Sequence, residues 1–218
     1  MTLSRRNATV AIRQQVDRAP QEAISLIVDS SGLKVCSQDK WQSQKHGEKQ
    51  PKRWKKLHIE GDAQGRSVAS TVTASQEQDP SPVPALLSQV DHRINRFIGD
   101  GIFDQAPVST AVENHSLGAR VIIPPRAGAV LSPTAMSSPA QRDQPLLAIE
   151  SEGRCSWKRT SGYYDQAYVE HVFSRFKRTF SDRLRSKRDE AQEREAALAC
   201  ALLNRLRELG RPQSSPVS

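Results

Sequence analysis

Two short apolar runs, each ending in an aspartate, constrain this chain more than any other feature of its sequence. Ile24-Ser25-Leu26-Ile27-Val28 leads into Asp29 and the turn residues Ser30-Ser31-Gly32. Arg96-Phe97-Ile98 leads through Gly99 into Asp100 and Gly101. Short β-branched runs bounded by Ser and Gly read as buried strands. A third such run, Ala119 to Ile123, stops at Pro124-Pro125, and Leu57–Gly61 and Ser67–Thr73 flank the hairpin signal Asp62-Ala63-Gln64-Gly65. Between the strands the spacing predicts helices over Val83–Ile94, through Leu86, Leu87 and Val90, and over Pro107–His115, with Asp104 before it as a cap. The result is an α/β domain with a mixed sheet, partly antiparallel at the front.

The back of the chain reads as two helices. In the first, about Tyr163 to Phe180, the residues Val169, Val172, Phe173, Phe176 and Phe180 make one apolar stripe. In the second, about Asp189 to Leu209, the stripe is Leu198, Leu202, Leu206 and Leu209, and Gly210 and Pro212 close the helix. From Pro124 to Pro145 there are five prolines among Ser, Gln and Ala, which read as a long loop or insertion (about residues 126–155). The expected organisation is a polar segment over 1–22, one domain over 23–210 and a disordered tail over 211–218.

Charge narrows the class of partner. The 218 residues carry a net +8, and the excess is concentrated. Lys34 to His58 holds eight Lys/Arg against two acids, and Gly153 to Arg211 holds fourteen against eight, so the rest of the chain is acidic. Two basic zones on an otherwise acidic chain point to a polyanion, nucleic acid first, although either zone alone also reads as a solvated charged face. The longest apolar stretch, Ala196 to Leu203, falls far short of the ~20 residues of a membrane span. Arg5, Arg6, Arg13 and Arg18 break up the first twenty residues and leave no apolar core for a signal peptide. Cys36, Cys155 and Cys200 share no metal-ligand spacing and read as reduced thiols. No glycine-rich nucleotide loop is present.

Three acids stand out by position: Asp29 and Asp100 at strand ends, and Glu170 early in the first C-terminal helix. Acids at strand ends converge in the crevice beyond the carboxyl edge of an open α/β sheet. A third carboxylate from a packed helix would complete an oxygen-ligand site for Mg2+ or Mn2+. Taken singly, Asp29 and Asp100 also read as turn caps and Glu170 as helix surface. The helix geometry links Glu170 to Lys177: they fall about 100° and about 80° from the centre of the apolar stripe, on the same side. Lys177 would then reach a phosphate beside the acids. Trp41 and Trp54 among lysines read as packing over the sheet edge before base stacking, and His171 reads as surface.

Residues Ile27 to Val35, Gly99-Asp100-Gly101-Ile102-Phe103-Asp104 and Val121-Ile122-Ile123-Pro124-Pro125-Arg126 follow one another in an order that resembles the DDE transposases of bacterial insertion sequences, in the group named for insertion sequence five. The basic stretches Trp41–Gly47, with Lys45-His46-Gly47, and Arg53-Trp54-Lys55-Lys56-Leu57-His58 resemble the same family. So does a third motif of Tyr, two residues, Arg, three residues, Glu, six residues and Lys, read here as Tyr163, Gln166, Glu170 and Lys177.

The resemblance spans roughly Leu3 to Pro212. It implies a ribonuclease-H-like mixed sheet flanked by helices, with Asp29, Asp100 and Glu170 as catalytic acids holding Mg2+ or Mn2+. It implies metal-dependent DNA cleavage and strand transfer on double-stranded DNA, at element ends and target, in a bacterial cytoplasm, with no covalent protein–DNA link. By the same resemblance Lys177, Tyr163, Gln166, Lys45, His46, Arg53, Lys55 and Arg126 are expected at the DNA, and a homo-oligomer is an accompanying expectation. Two departures stand out. Gln166 fills the arginine position and lacks its fixed charge and fork, and Thr2-Leu3-Ser4-Arg5-Arg6 resembles sequence just after the family's N-terminal helical region, so a truncated catalytic half is expected. The rival expectations are a truncated, catalytically silent form that binds only DNA or an intact transposase and, further off, a cellular ribonuclease-H-like nuclease.

Overall fold

A computed structural model of the chain describes residue 12 and residues 22–35, 53–137 and 139–210. One six-stranded mixed sheet organises them, in the order β3-β2-β1-β4-β5, with β6 paired to the far end of β1. Strand β1 (Ile24–Val35) is the hub. It pairs antiparallel with β2 (Trp54–Asp62), which pairs antiparallel with β3 (Ser67–Ala74). On its other side β1 runs parallel to β4 (Ile94–Ile98), and β4 runs parallel to β5 (Arg120–Ile122). β6 (Arg183–Leu184) adds two residues alongside Lys34 and Val35. The arrangement is consistent with the ribonuclease-H-like expectation.

Helices cover both faces, because alternate residues of β1 are apolar in both directions. Ile24, Leu26 and Val28 face one core with the short helix α1 (Val83–Leu87) and α2 (Ala106–His115). Ile27 and Leu33 face the other core, under α5 (Ala167–Phe180) and α6 (Asp189–Glu208). Two further helices, α3 (Asp143–Glu152) and α4 (Arg154–Thr160), precede α5, with Trp157 buried in the second core. The α5 stripe of Val169, Val172, Phe173 and Phe176 is buried as its spacing predicts. No helix among the described residues is long and apolar enough to cross a membrane.

Several sequence expectations are corrected here. The helix predicted over Val83–Ile94 ends at Leu87, because Ile94 is taken into β4 opposite Ile24. Asp104 does not cap α2. Gln105 occupies the cap position, and Asp104 turns inward to accept from the Arg126 backbone N–H at 3.0 Å and from the Arg142 guanidinium at 2.7 and 3.2 Å.

The Pro-rich stretch ends in two helices rather than continuing as loop to residue 155. Asp143, 2% exposed, accepts from Ser132 N–H, Ser132 Oγ–H and Ala140 N–H, and so folds the preceding segment back onto the start of α3. Tyr163–Gln166 forms a 3-10 turn before α5 begins at Ala167.

The predicted leucine face of α6 is also not its buried face. Leu198, Leu202, Leu206 and Leu209 are 41, 43, 50 and 68% exposed, whereas Ala196, Ala199, Cys200 and Leu203 are buried with Gln192 and Asn204. Small side chains let α6 sit close on β3, where polar groups of the helix satisfy the strand's free edge. Asn204 both accepts from Ser67 N–H and donates to Ser67 C=O, and Glu193 accepts from Val72 N–H. On the opposite edge Gln141 accepts from Val121 N–H and donates to Ala119 C=O.

Candidate active site

The two aspartates reach the same level of the sheet for a simple reason, although β1 does not end at Asp29 as expected but runs on through Ser30-Ser31-Gly32 to Val35, held by its pairing with β2. β1 and β4 are parallel neighbours with Ile27 opposite Ile98, and each aspartate lies two residues further on. Asp29 Oδ1 accepts the N–H of Ser30 at 2.7 Å. Asp100 Oδ1 accepts the N–H of Ile102 at 2.9 Å and so starts the 3-10 turn Gly101–Phe103. The chain on either side of Asp100 is tightly packed. A Cβ on Gly99 would meet Val28 Cγ1 at 3.1 Å and Phe103 Cδ2 at 3.2 Å, and one on Gly101 would meet Pro124 C=O at 3.2 Å. A side chain at either position would have to push these neighbours back by a few tenths of an ångström.

Glu170 joins from the first turn of α5, on the helix exposed side. Its charge is felt at the other two acids' end of the sheet. Burial raises the Asp29 carboxyl from its ordinary 3.8 to about 6, and the negative charges of Asp100 and Glu170 add to the rise, against the lowering effect of the Ser30 N–H bond. Tyr163 feels all three acids. Burial raises its phenol, then Asp100, Asp29 and Glu170 raise it further, opposed by Arg154. The Tyr163 ring stands 6.2 Å from Trp157, and the Lys158 ammonium lies 5.0 Å from its centroid.

Lys177 lies two turns beyond Glu170 and donates to Ser31 Oγ at 2.6 Å. Asp29 and Ser31 are alternate residues on one face of β1, so Glu170 and Lys177 of α5 sit beside a matching pair on the strand. In the sequence Ser31 falls within the first acidic motif with no role of its own, and the role comes from Lys177, packed from α5 onto that face of β1.

Other expected DNA contacts are engaged elsewhere. Gln166 is 8% exposed and donates to the C=O of Val28 at 3.2 Å, tying the 3-10 turn to β1 immediately before Asp29. Without a charge to keep solvated, the amide folds into the core. Arg126 donates from Nε to Gly101 C=O at 2.9 Å and from Nη2 to Ile102 C=O. It thus holds the turn that carries Asp100. Lys55 is ion-paired with Asp189 at 3.0 Å, in a part-buried position. Arg53 is exposed at the entrance to β2. Trp54 packs over the backbone of Gly32, 3.4 Å from where a Cβ would sit, with Lys34 at 5.5 Å from its ring. His171 is exposed. Lys45, His46 and Trp41 lie outside the described residues.

The donor chemistry around Asp29, Asp100 and Glu170 is all oxygen, which suits a hard divalent cation. Among the described residues no three Asp, Glu, His or Cys side chains close into a ready ion-binding group. The like-charge pressure on Asp29 is the observation that fits a cation at this end of the sheet.

The parallel neighbours β1 and β4 thus carry Asp29 and Asp100 at matching positions, and Glu170 of α5 acts on Asp29 through its charge. Residues 20–205 match the family model of the transposase DDE domain, and the chain belongs to that family. No solved structure matches it.

Proposed function

We propose that this chain is the DNA-cleaving and strand-joining domain of a bacterial insertion-sequence transposase, of the group named for insertion sequence five, with Asp29, Asp100 and Glu170 as its acidic triad. The observation that carries the reading is the matched register of Asp29 and Asp100, each two residues past the Ile27–Ile98 pair of the parallel neighbours β1 and β4, with Glu170 of α5 near enough for its charge to act on Asp29. The substrate is double-stranded DNA at element ends and target, in the bacterial cytoplasm, with self-association of the chain as part of the reading. The triad would hold Mg2+ or Mn2+, which when bound offsets its negative charge and polarises the phosphodiester under attack.

The chain's own residues divide the remaining work. Ser30 N–H and Ile102 N–H each fix one carboxylate oxygen and orient the other. Lys177, steadied by Ser31, presents an ammonium to a phosphate beside the acids. Tyr163 supplies a hydroxyl and a ring face at the mouth of the site. Water attacks one phosphodiester and releases a 3′-OH. That hydroxyl then attacks a second phosphodiester, so each step makes one P–O bond and breaks one, and no protein nucleophile is required.

The test is nicking of duplex DNA carrying the element ends, with Mg2+ or Mn2+ added. The wild-type chain is expected to nick, and Asp100→Asn and Glu170→Gln to fall to background with DNA binding intact. Salt-dependent binding without nicking by the wild-type chain would instead favour the silent DNA-binding form.

Arg126 offers a second, sharper prediction. Because its donors are on Gly101 and Ile102, Arg126→Ala is expected to misplace Asp100 and slow nicking roughly 10²-fold. The salt dependence of DNA binding should stay as in the wild type. A salt slope lowered by about one would mark Arg126 as a phosphate contact after all.

A further inference from the structure

On the far flank of α5 from Glu170 lies a group of arginines with no acid to balance it. Arg175 is five residues from Glu170, about 140° round the helix, and its Nη2 donates to the C=O of Gly65 in the β2–β3 turn. Arg207 comes to the same turn from α6. A Cβ built on Gly65 would lie 3.9 Å from Arg175 Nη2 and 3.9 Å from Arg207 Nη1. Gly65 itself turns the chain with φ +69°, a backbone that other residues rarely adopt. Arg178 stands one turn beyond Arg175, exposed on the crest of α5.

The neighbouring acids are already engaged. Asp62 accepts from Gln64 N–H, Arg66 N–H and the Arg66 guanidinium, and Glu208 pairs with Arg205 at 2.8 Å. Among the described residues neither Arg178 nor Arg207 has an ion-pair partner. The cost of this crowding shows at Arg175, whose guanidinium is drawn below its ordinary range by burial and then by the charges of Arg207 and Arg178. Unbalanced guanidiniums with free forks are the usual receptor for phosphate.

We propose that Arg175, Arg178 and Arg207 bind the phosphodiester backbone of duplex DNA, as a contact surface separate from the acidic triad. The proposal rests on the transposase reading and extends it. Lys177, Arg178 and Arg175 follow one another across the outer surface of α5, and Arg207 continues the band onto α6. A helix is only ~10–12 Å across, and duplex DNA carries a charge every ~1.7 Å. A duplex entering at the acids therefore meets phosphate ligands on the other side of α5.

The experiment measures binding of a random-sequence duplex, in metal-free buffer with chelator, across a salt series. It compares the wild type, Arg178→Gln/Arg207→Gln and Arg178→Lys/Arg207→Lys. Both arginines are exposed, so the melting temperature should match the wild type in all three. The Gln pair is expected to weaken binding on the order of tenfold and to lower the salt slope by nearly two, about 0.9 per contact. The Lys pair should restore the slope, and nicking at saturating DNA should persist in both. An unchanged slope and affinity in the Gln pair overturns the proposal. So does a Gln pair that loses only thermal stabilisation by inorganic phosphate, since the cluster would then take a free anion. A wild-type chain that fails to nick, while the slopes separate as expected, would sink the catalytic reading and leave this surface standing.

Discussion

Replacing Asp29 by Asn is expected to abolish nicking and at the same time to make the protein more stable at neutral pH. The activity loss should be at least ~10³-fold, because an amide cannot supply the charged oxygen that the proposed metal site needs from this position. The stability gain follows from the cost of keeping that carboxylate charged. Its folded-state value, about 6, lies above its ordinary 3.8 through burial first and then the charges of Asp100 and Glu170.

A raised folded value means the stability is fully present below pH ~3.8 and is lost as pH climbs through about 6. Asn carries no such penalty. The variant should therefore match the wild type near pH 4 and exceed it above pH ~6, by an amount on the order of 2 kcal/mol once partial solvent exposure is allowed for. Urea unfolding at the two pH values, beside the nicking assay, checks both halves. A variant that nicks, or one less stable than the wild type at pH 7, would remove Asp29 from the site.

A larger stability effect is expected at Glu60, which no chemistry assigned to the chain requires. Glu60 lies in β2 opposite Val28 and Ala69, on the face packed under α1 and α2. It is 0% exposed, and neither carboxyl oxygen has a hydrogen-bond partner. Burial alone raises it from 4.5 to about 8. The folded protein thus keeps the proton while the unfolded chain releases it. Stability is full below pH ~4.5 and declines until pH about 8, a loss of roughly 4–5 kcal/mol. Glu60→Leu, close in shape and uncharged, should flatten that decline and recover roughly 4 kcal/mol at pH 9, with little change at pH 5. Denaturant unfolding at both pH values measures it. Parallel pH profiles for the two proteins would show that the carboxyl finds a partner.

Much of the architecture could be read from local pattern, because its signals are local. The β-branched runs at Ile24 and Phe97, the Asp62–Gly65 turn and the α5 stripe each follow from side-chain periodicity and turn chemistry. The same holds for Asp100 after β4 and Glu170 in the first turn of α5, but not for Asp29, because β1 runs on through the expected turn Ser30-Ser31-Gly32 to Val35. Errors arose where a residue's partner is distant in sequence. Ile94 left the predicted helix for a strand pairing with Ile24, seventy residues away. The leucines of α6 gave the stronger periodic signal, yet the helix turned its alanines inward because Asn204 and Glu193 answer the free edge of β3. Asp104 served as a tie between three segments and not as a cap.

The site divides in the same way. Spacing along one element was enough to put Asp100 just past β4 and Glu170 and Lys177 on one side of α5, whereas Asp29, expected at a strand end, lies inside β1 because Ser30 to Lys34 pair with β2. Tertiary structure decided what each polar side chain near them does. Gln166 and Arg126 look alike in the motif as DNA contacts, but one is drawn into the core to Val28 and the other holds the Asp100 turn. Ser31 and the Gly65 arginines acquire meaning only when β1, α5 and α6 are packed together. A polar group's role is set by the nearest unpaired donor, acceptor or charge, and in a folded chain that neighbour is fixed by packing.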